Sequence, residues 1–217
     1  MHIEFQPPGA IEKRILRFGR GRDLVTAALE SGNAAPVPLI NGSFESQTPT
    51  SGSAIQPIEG WVTERPHEGN PASVEHLAPG KSWMGPTAAQ DGGNVVLVPG
   101  TQLIRQTLTA TWQPNTTYIL TAGMAAGLSS GSSGMIGLAF GDAPMTTPNS
   151  LDLKNVVEST TVPPTAEWVR HIISFTTGAA DPFLGQPIVV FAANRVFDSA
   201  NNLLIDNFQL TSTSNNP

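Results

Sequence analysis

Beyond Val37 no stretch of this chain keeps a helical period. Its apolar residues fall into a dozen short runs, alternating or wholly apolar, each closed off by Gly, Pro, Asn or Ser. A helix needs apolar residues every three to four positions over ten or more, whereas runs of four to eight with a period of two make strands. The runs lie at 37–40, 43–46, 58–64, 73–77, 94–98, 102–109, 117–125, 134–140, 154–160, 168–176, 187–193 and 203–211. In Thr117 to Ala122 and in Val169 to Phe175 one face is apolar and the other partly polar, as in antiparallel sheets with one wet side. Many such strands at short intervals predict an all-β chain, an antiparallel β-sandwich or jelly roll. The 21 Gly and 19 Pro suit its many turns, and Gly127 to Gly134 reads as a flexible loop.

Residues 1–36 are a different kind of sequence. Pro7-Pro8-Gly9 breaks the chain, after which Ile11, Ile15, Leu16 and Phe18 interleave with Lys13, Arg14, Arg17 and Arg20. A second short helical segment, Asp23 to Glu30, has Asp23 as its N-cap. Neither segment is long enough to stand alone in water. The expected organisation is an N-terminal extended or helical arm at 1–36, a sandwich at 37–213 and a tail at 214–217. The arm would anchor the chain to a larger assembly through Ile11, Arg14, Ile15, Arg17, Phe18 and Arg20.

Charge narrows the partners. The arm carries five basic residues against four acidic ones, the remainder six against thirteen. So acidic a main domain argues against nucleic acid, whose phosphates need clustered Lys and Arg. Without cysteine there is neither a disulfide framework nor a thiolate metal site. No stretch approaches about 18 uninterrupted apolar residues, and the first 22 residues lack the pattern of a secretory signal. The expectation is no membrane insertion and either synthesis in the cytoplasm or assembly on a virion or surface.

Asn41-Gly-Ser-Phe-Glu45, Ile58-Glu-Gly-Trp61, Asp91-Gly-Gly-Asn-Val-Val-Leu97, Ile104-Arg-Gln-Thr-Leu108, Asn115-Thr-Thr-Tyr118, Trp168 before a long strand and Leu204-Ile-Asp-Asn207 follow one another in order. This series resembles the galactose-binding-like β-jelly-roll modules, among them the bacterial carbohydrate-binding modules, over about 37–211. The resemblance implies a structural calcium held by Glu45 and Asp206 with backbone carbonyls, since calcium takes six to eight oxygen ligands. It also implies that Trp61 and Trp168 are core aromatics. Asp91, ahead of two glycines, reads first as a turn residue.

Trp83 lies in a loop-like segment and Trp112 at a turn, where a ring can stack on the apolar face of a sugar. Arg65 and His67 are polar neighbours that would orient its hydroxyls. His67 and His76 lack the spacing of a metal helix motif, and Gly131-Ser-Ser-Gly134 lacks the nucleophile elbow. Three functions compete. The expected one is a non-catalytic, surface-displayed module anchored by its arm, similar to decoration or attachment subunits of phage capsids or tails, with glycan binding and a homo-oligomeric state. The second is a free-standing, calcium-dependent carbohydrate-binding protein. The third follows from a resemblance to cyanobacterial terpenoid-indole cyclases of the same calcium-bound fold, which use an aspartic acid as proton donor in an aromatic pocket; Asp206 would be that acid. Aromatic residues make up only 6% of the chain, which weighs against a pocket of ring faces that stabilises a cation.

Overall fold

The computed structural model describes residues 34–47, 57–64, 75–77, 88–126, 134–142, 144–145, 153–162, 166–195 and 202–215. All of them belong to the unit Asn33–Pro217. The described residues form eleven strands: β1 (Ala35–Val37), β2 (Val62–Glu64), β3 (Glu75–Leu77), β4 (Val95–Val98), β5 (Gln102–Thr111), β6 (Thr116–Ala126), β7 (Gly134–Phe140), β8 (Val156–Val162), β9 (Val169–Thr176), β10 (Pro187–Asn194) and β11 (Leu203–Ser214). The described residues contain no helix. One sheet runs β3-β4-β11-β6-β9, with β1 also on β11, and the other runs β2-β5-β10-β7-β8. Every pairing is antiparallel. This is the galactose-binding-like β-sandwich that the motifs imply.

The period of two decides which side chains enter the core. Tyr118, Leu120, Ala122 and Met124 of β6 point between the sheets, as do Ile188, Val190 and Ala192 of β10 and Leu203, Ile205, Phe208 and Leu210 of β11. Strands that read as wholly apolar are covered on both sides. On β10 the alternate residues Val189, Phe191 and Ala193 pack with Leu103, Met135, Ala139 and Met145 on the outer face of the second sheet. Arg105 pairs there with buried Glu64. On the outer face of the first sheet, Val95, Leu97, Ala125 and Leu204 form a third apolar cluster, against which Ala89 and Trp168 pack. Trp168 therefore lies outside the inter-sheet core that the resemblance implies for it, whereas Trp61 is inside it.

The run at 43–46 is a turn, not a strand. Asn41 and Phe44 both have left-handed backbones, at φ 52° and 62°. The Phe44 N–H closes the turn on the Asn41 carbonyl at 3.1 Å. A positive φ is unfavourable for an aromatic residue. Burial compensates: Phe44 is fully enclosed, 5.3 Å from the Trp61 ring and 6.2 Å from that of Phe208. Just before it, Gln106 of β5 both donates to and accepts from the Ile40 backbone, at 2.7 and 2.8 Å, tying the entering chain to the second sheet.

Candidate functional site

The residues ahead of β4 form a turn gripped at both ends by carboxylates from opposite ends of the sandwich. At its far end Glu45 Oε1 accepts the N–H groups of Gly93 and Asn94, at 2.9 and 2.6 Å. The Asn94 amide returns bonds to Glu45 Oε2, to the Phe44 carbonyl and to the Gln47 carbonyl. Gly92 makes the approach possible: its φ is +64°, and a Cβ there would stand 2.4 Å from Glu45 Cδ. At the near end Asp206 Oδ2 accepts the N–H groups of Gln90 and Asp91, at 2.8 and 2.9 Å, while Oδ1 accepts that of Asn207 at 2.6 Å. The two acids are thus brought to one turn, with backbone N–H groups between them.

Asp206 is the more unusual of the two. On β11 it alternates with the core residues Leu203 and Ile205, so it faces outward, on the side of Leu204 and the apolar cluster. A bulge follows it, with Asn207 left-handed at φ 53°, and resets the strand so that Phe208 and Leu210 return to the core. The carboxyl is fully buried. Burial pushes its pKa up to about 7; the N–H groups of Asp91, Asn207 and Gln90 pull the other way, and the neighbouring Asp91 charge adds to the rise. Desolvation of the charged form outweighs three favourable donors.

The sheet places Asp206 in a row. Its cross-strand partner on β6 is Gly123, whose partner on β9 is Arg170. Arg170 is fixed by bonds from Nη2 to Thr121 Oγ1 and to Gln209 Oε1, at 2.9 and 2.6 Å, and burial draws its guanidinium below the ordinary value. Trp168 donates its indole N–H to the Ala88 carbonyl at 2.7 Å, which holds the approach to the turn against the apolar cluster.

Of the residues expected to act, Glu45 and Asp206 converge as described. Trp112 does not serve as a platform for a ligand. It is fully buried in the core, its Nε1 donating to the Ala139 carbonyl at 3.2 Å, with Tyr118, Phe183 and Phe175 edge-on around it. Trp112 does precede a turn, but its ring points inward. Trp83, Arg65 and His67, and the anchoring residues Ile11, Arg14, Ile15, Arg17, Phe18 and Arg20, lie outside the described residues. Gln90, Gly123 and Arg170 were not singled out from sequence. The one signal was Gly123 itself, since a glycine inside an apolar strand marks close approach by another group.

These contacts lend calcium no support. A cation needs oxygen lone pairs, and here four backbone N–H groups of residues 90–94 point their positive ends at Glu45 and Asp206. The described residues contain no cluster of three or more His, Asp or Glu side chains able to hold a metal. Glu45 Oε1 and Asp206 Oδ2 each already accept two backbone N–H groups.

The HpiC1-like family model, described as HpiC1 cyclase, matches residues 35–211. No curated protein matches the sequence. Among solved structures the chain is similar to the Stig cyclase Fisc from Fischerella sp. TAU, bound to (3Z)-3-(1-methyl-2-pyrrolidinylidene)-3H-indole, at 20% identity, a TM-score of 0.64 and coverage of 83% of this chain and 98% of that one. It is also similar to a cyclase from Fischerella sp. TAU in complex with 4-(1H-indol-3-yl)butan-2-one, at 19% identity, a TM-score of 0.62 and coverage of 84% and 100%. The tandem carbohydrate-binding domain of Paenibacillus barcinonensis Xyn10C shares the fold at 14% identity and a TM-score of 0.52, over 85% of this chain and 47% of that one. At such identities these structures establish the sandwich alone. The family match is different in kind, and it overturns the expectation of a non-catalytic decoration module, because the matched family is one of cyclases.

Proposed function

Because the chain belongs to the HpiC1-like family of cyclases, we propose that it closes rings by proton transfer, with the Asp206 carboxyl as the group that gives and retrieves the proton. The observation that carries this reading is a buried carboxyl whose pKa is pushed up to about 7, beside an apolar wall. A general acid works best with a pKa near the working pH, where the protonated form is populated and the proton can still leave.

The proton passes from Asp206 to one carbon of a substrate π bond, leaving a cation at the other carbon. A second π bond attacks that cation and forms the ring bond. The adjacent C–H then returns a proton to the Asp206 carboxylate, so the reaction is an isomerisation that consumes no co-reactant. While the proton is away, the N–H groups of Gln90, Asp91 and Asn207 hold the negative charge in fixed positions. Val95, Leu97, Ala125 and Leu204, covered by Ala89 and Trp168, lie on the sheet face that carries Asp206 and keep its surroundings apolar. Both cyclase complexes hold an indole compound, which makes an indole the substrate class; the proton-driven ring closure further asks for a chain with π bonds. Trp112 offers no platform for a glycan, since it is enclosed in the core.

The test is turnover of an indole bearing an unsaturated terpenoid chain in D2O, followed by mass spectrometry. Wild type should give a cyclic isomer carrying solvent deuterium. Asp206→Asn should lose about a hundredfold or more in rate while staying folded. Full activity of the folded variant would overturn the assignment.

A further inference from the structure

Two buried polar atoms in or next to the row of Asp206, Gly123 and Arg170 make no hydrogen bond among the described residues. They are Gln90 Oε1, an acceptor, and Arg170 Nε, a donor. Buried side-chain polar atoms are rarely left without a partner, and each exception asks for an explanation. Both adjoin Gly123. Arg170 is its cross-strand partner on one side and Asp206 on the other. The Gln90 amide occupies the space a side chain at 123 would need: a Cβ there would meet Oε1 at 1.8 Å and Cδ at 2.5 Å. The glycine is a floor in the middle of the sheet, and the Gln90 amide lies on it.

Both residues are anchored close to the unpaired atoms. The Gln90 backbone is pinned by its N–H to Asp206, and the Arg170 guanidinium by Nη2 to Thr121 and Gln209. An acceptor and a donor that flank Gly123, each unsatisfied, suit a molecule that brings a hydrogen bond of its own. We propose that Gln90 is a positioning residue whose Oε1 accepts the N–H of a substrate heterocycle and so sets the substrate's orientation beside Asp206. Arg170 Nε supplies the matching donor on the other side of Gly123. The inference rests on the cyclase reading and deepens it, because it selects substrates that carry an N–H donor.

The experiment is calorimetric binding of the indole ketone named above and of its benzofuran analogue, in which oxygen replaces N–H at nearly unchanged shape. Wild type should favour the indole about tenfold. Gln90→Leu should bring the two affinities together. Gly123→Ala should do the same with Gln90 still present, because its methyl group displaces the amide, and the colliding atoms are the end of a flexible side chain. Thermal melts confirm that each variant is folded, and either variant suffices if the other is not. Asp206→Asn should keep the tenfold preference. Persistence of the preference in both Gln90→Leu and Gly123→Ala overturns the proposal, as does its loss in Asp206→Asn alone, which would make Asp206 the acceptor. Equal affinities in wild type overturn it while leaving the proton role to the turnover assay. Failure of wild type to bind either probe overturns it together with the substrate class.

Discussion

Replacing Asp206 by asparagine should remove a pH dependence of stability whose size follows from the burial of one carboxyl. In the native state its pKa is about 7, against an ordinary value of 3.8. Between those values the native protein keeps a proton that the unfolded chain has released. This contribution is therefore fully present below about pH 4 and is lost as pH rises toward and through 7. The shift is about three units, and each unit is worth about 1.36 kcal/mol, so the whole window spans about 4 kcal/mol. No discount for solvent screening applies, because the side chain has 0% exposure. For a domain of this size about 1 kcal/mol moves Tm by roughly 2–4 °C, which makes the effect about 8–16 °C. Urea unfolding of both proteins, followed by circular dichroism from pH 4 to pH 8, measures it. The subtraction cancels the other titrating groups, including His171, whose pKa burial draws below 6.5. Wild type should lose about 4 kcal/mol relative to Asp206→Asn across the window. A difference that stays flat within about 1 kcal/mol would refute the reasoning.

Two further outcomes follow from the same contacts. Trp112→Ala should lower stability by about 3–5 kcal/mol, read from denaturant melts, and leave the affinity for the indole probe unchanged, because the ring is a core residue; a selective loss of binding would return it to the site. Chelation should leave the melting temperature unchanged, since backbone N–H groups already satisfy Glu45 and Asp206; a fall of several degrees that calcium reverses would show a native-state cation stabilising by mass action.

The strands were legible because their signal is local. A period of two placed runs at 117–125, 134–140 and 187–193, and the strands are Thr116–Ala126, Gly134–Phe140 and Pro187–Asn194. The run at 43–46 failed for a non-local reason. Its backbone is held by Asn94, about 50 residues onward, and no neighbour in sequence announces a left-handed phenylalanine. The non-catalytic reading rested on the basic-apolar arm and a fold shared with binding modules, and a fold does not fix a function; the family match overturned it.

Sequence alone determined that the chain builds a sandwich and singled out Glu45 and Asp206, since alternation and motif order survive without coordinates. Only the tertiary structure decided what surrounds them. Antiparallel register sets Asp206, Gly123 and Arg170 in one row, and the 90–94 turn brings its amides to both carboxylates. The desolvation that raises the Asp206 pKa comes from residues far apart in the chain, so it exists only once the sheets have packed.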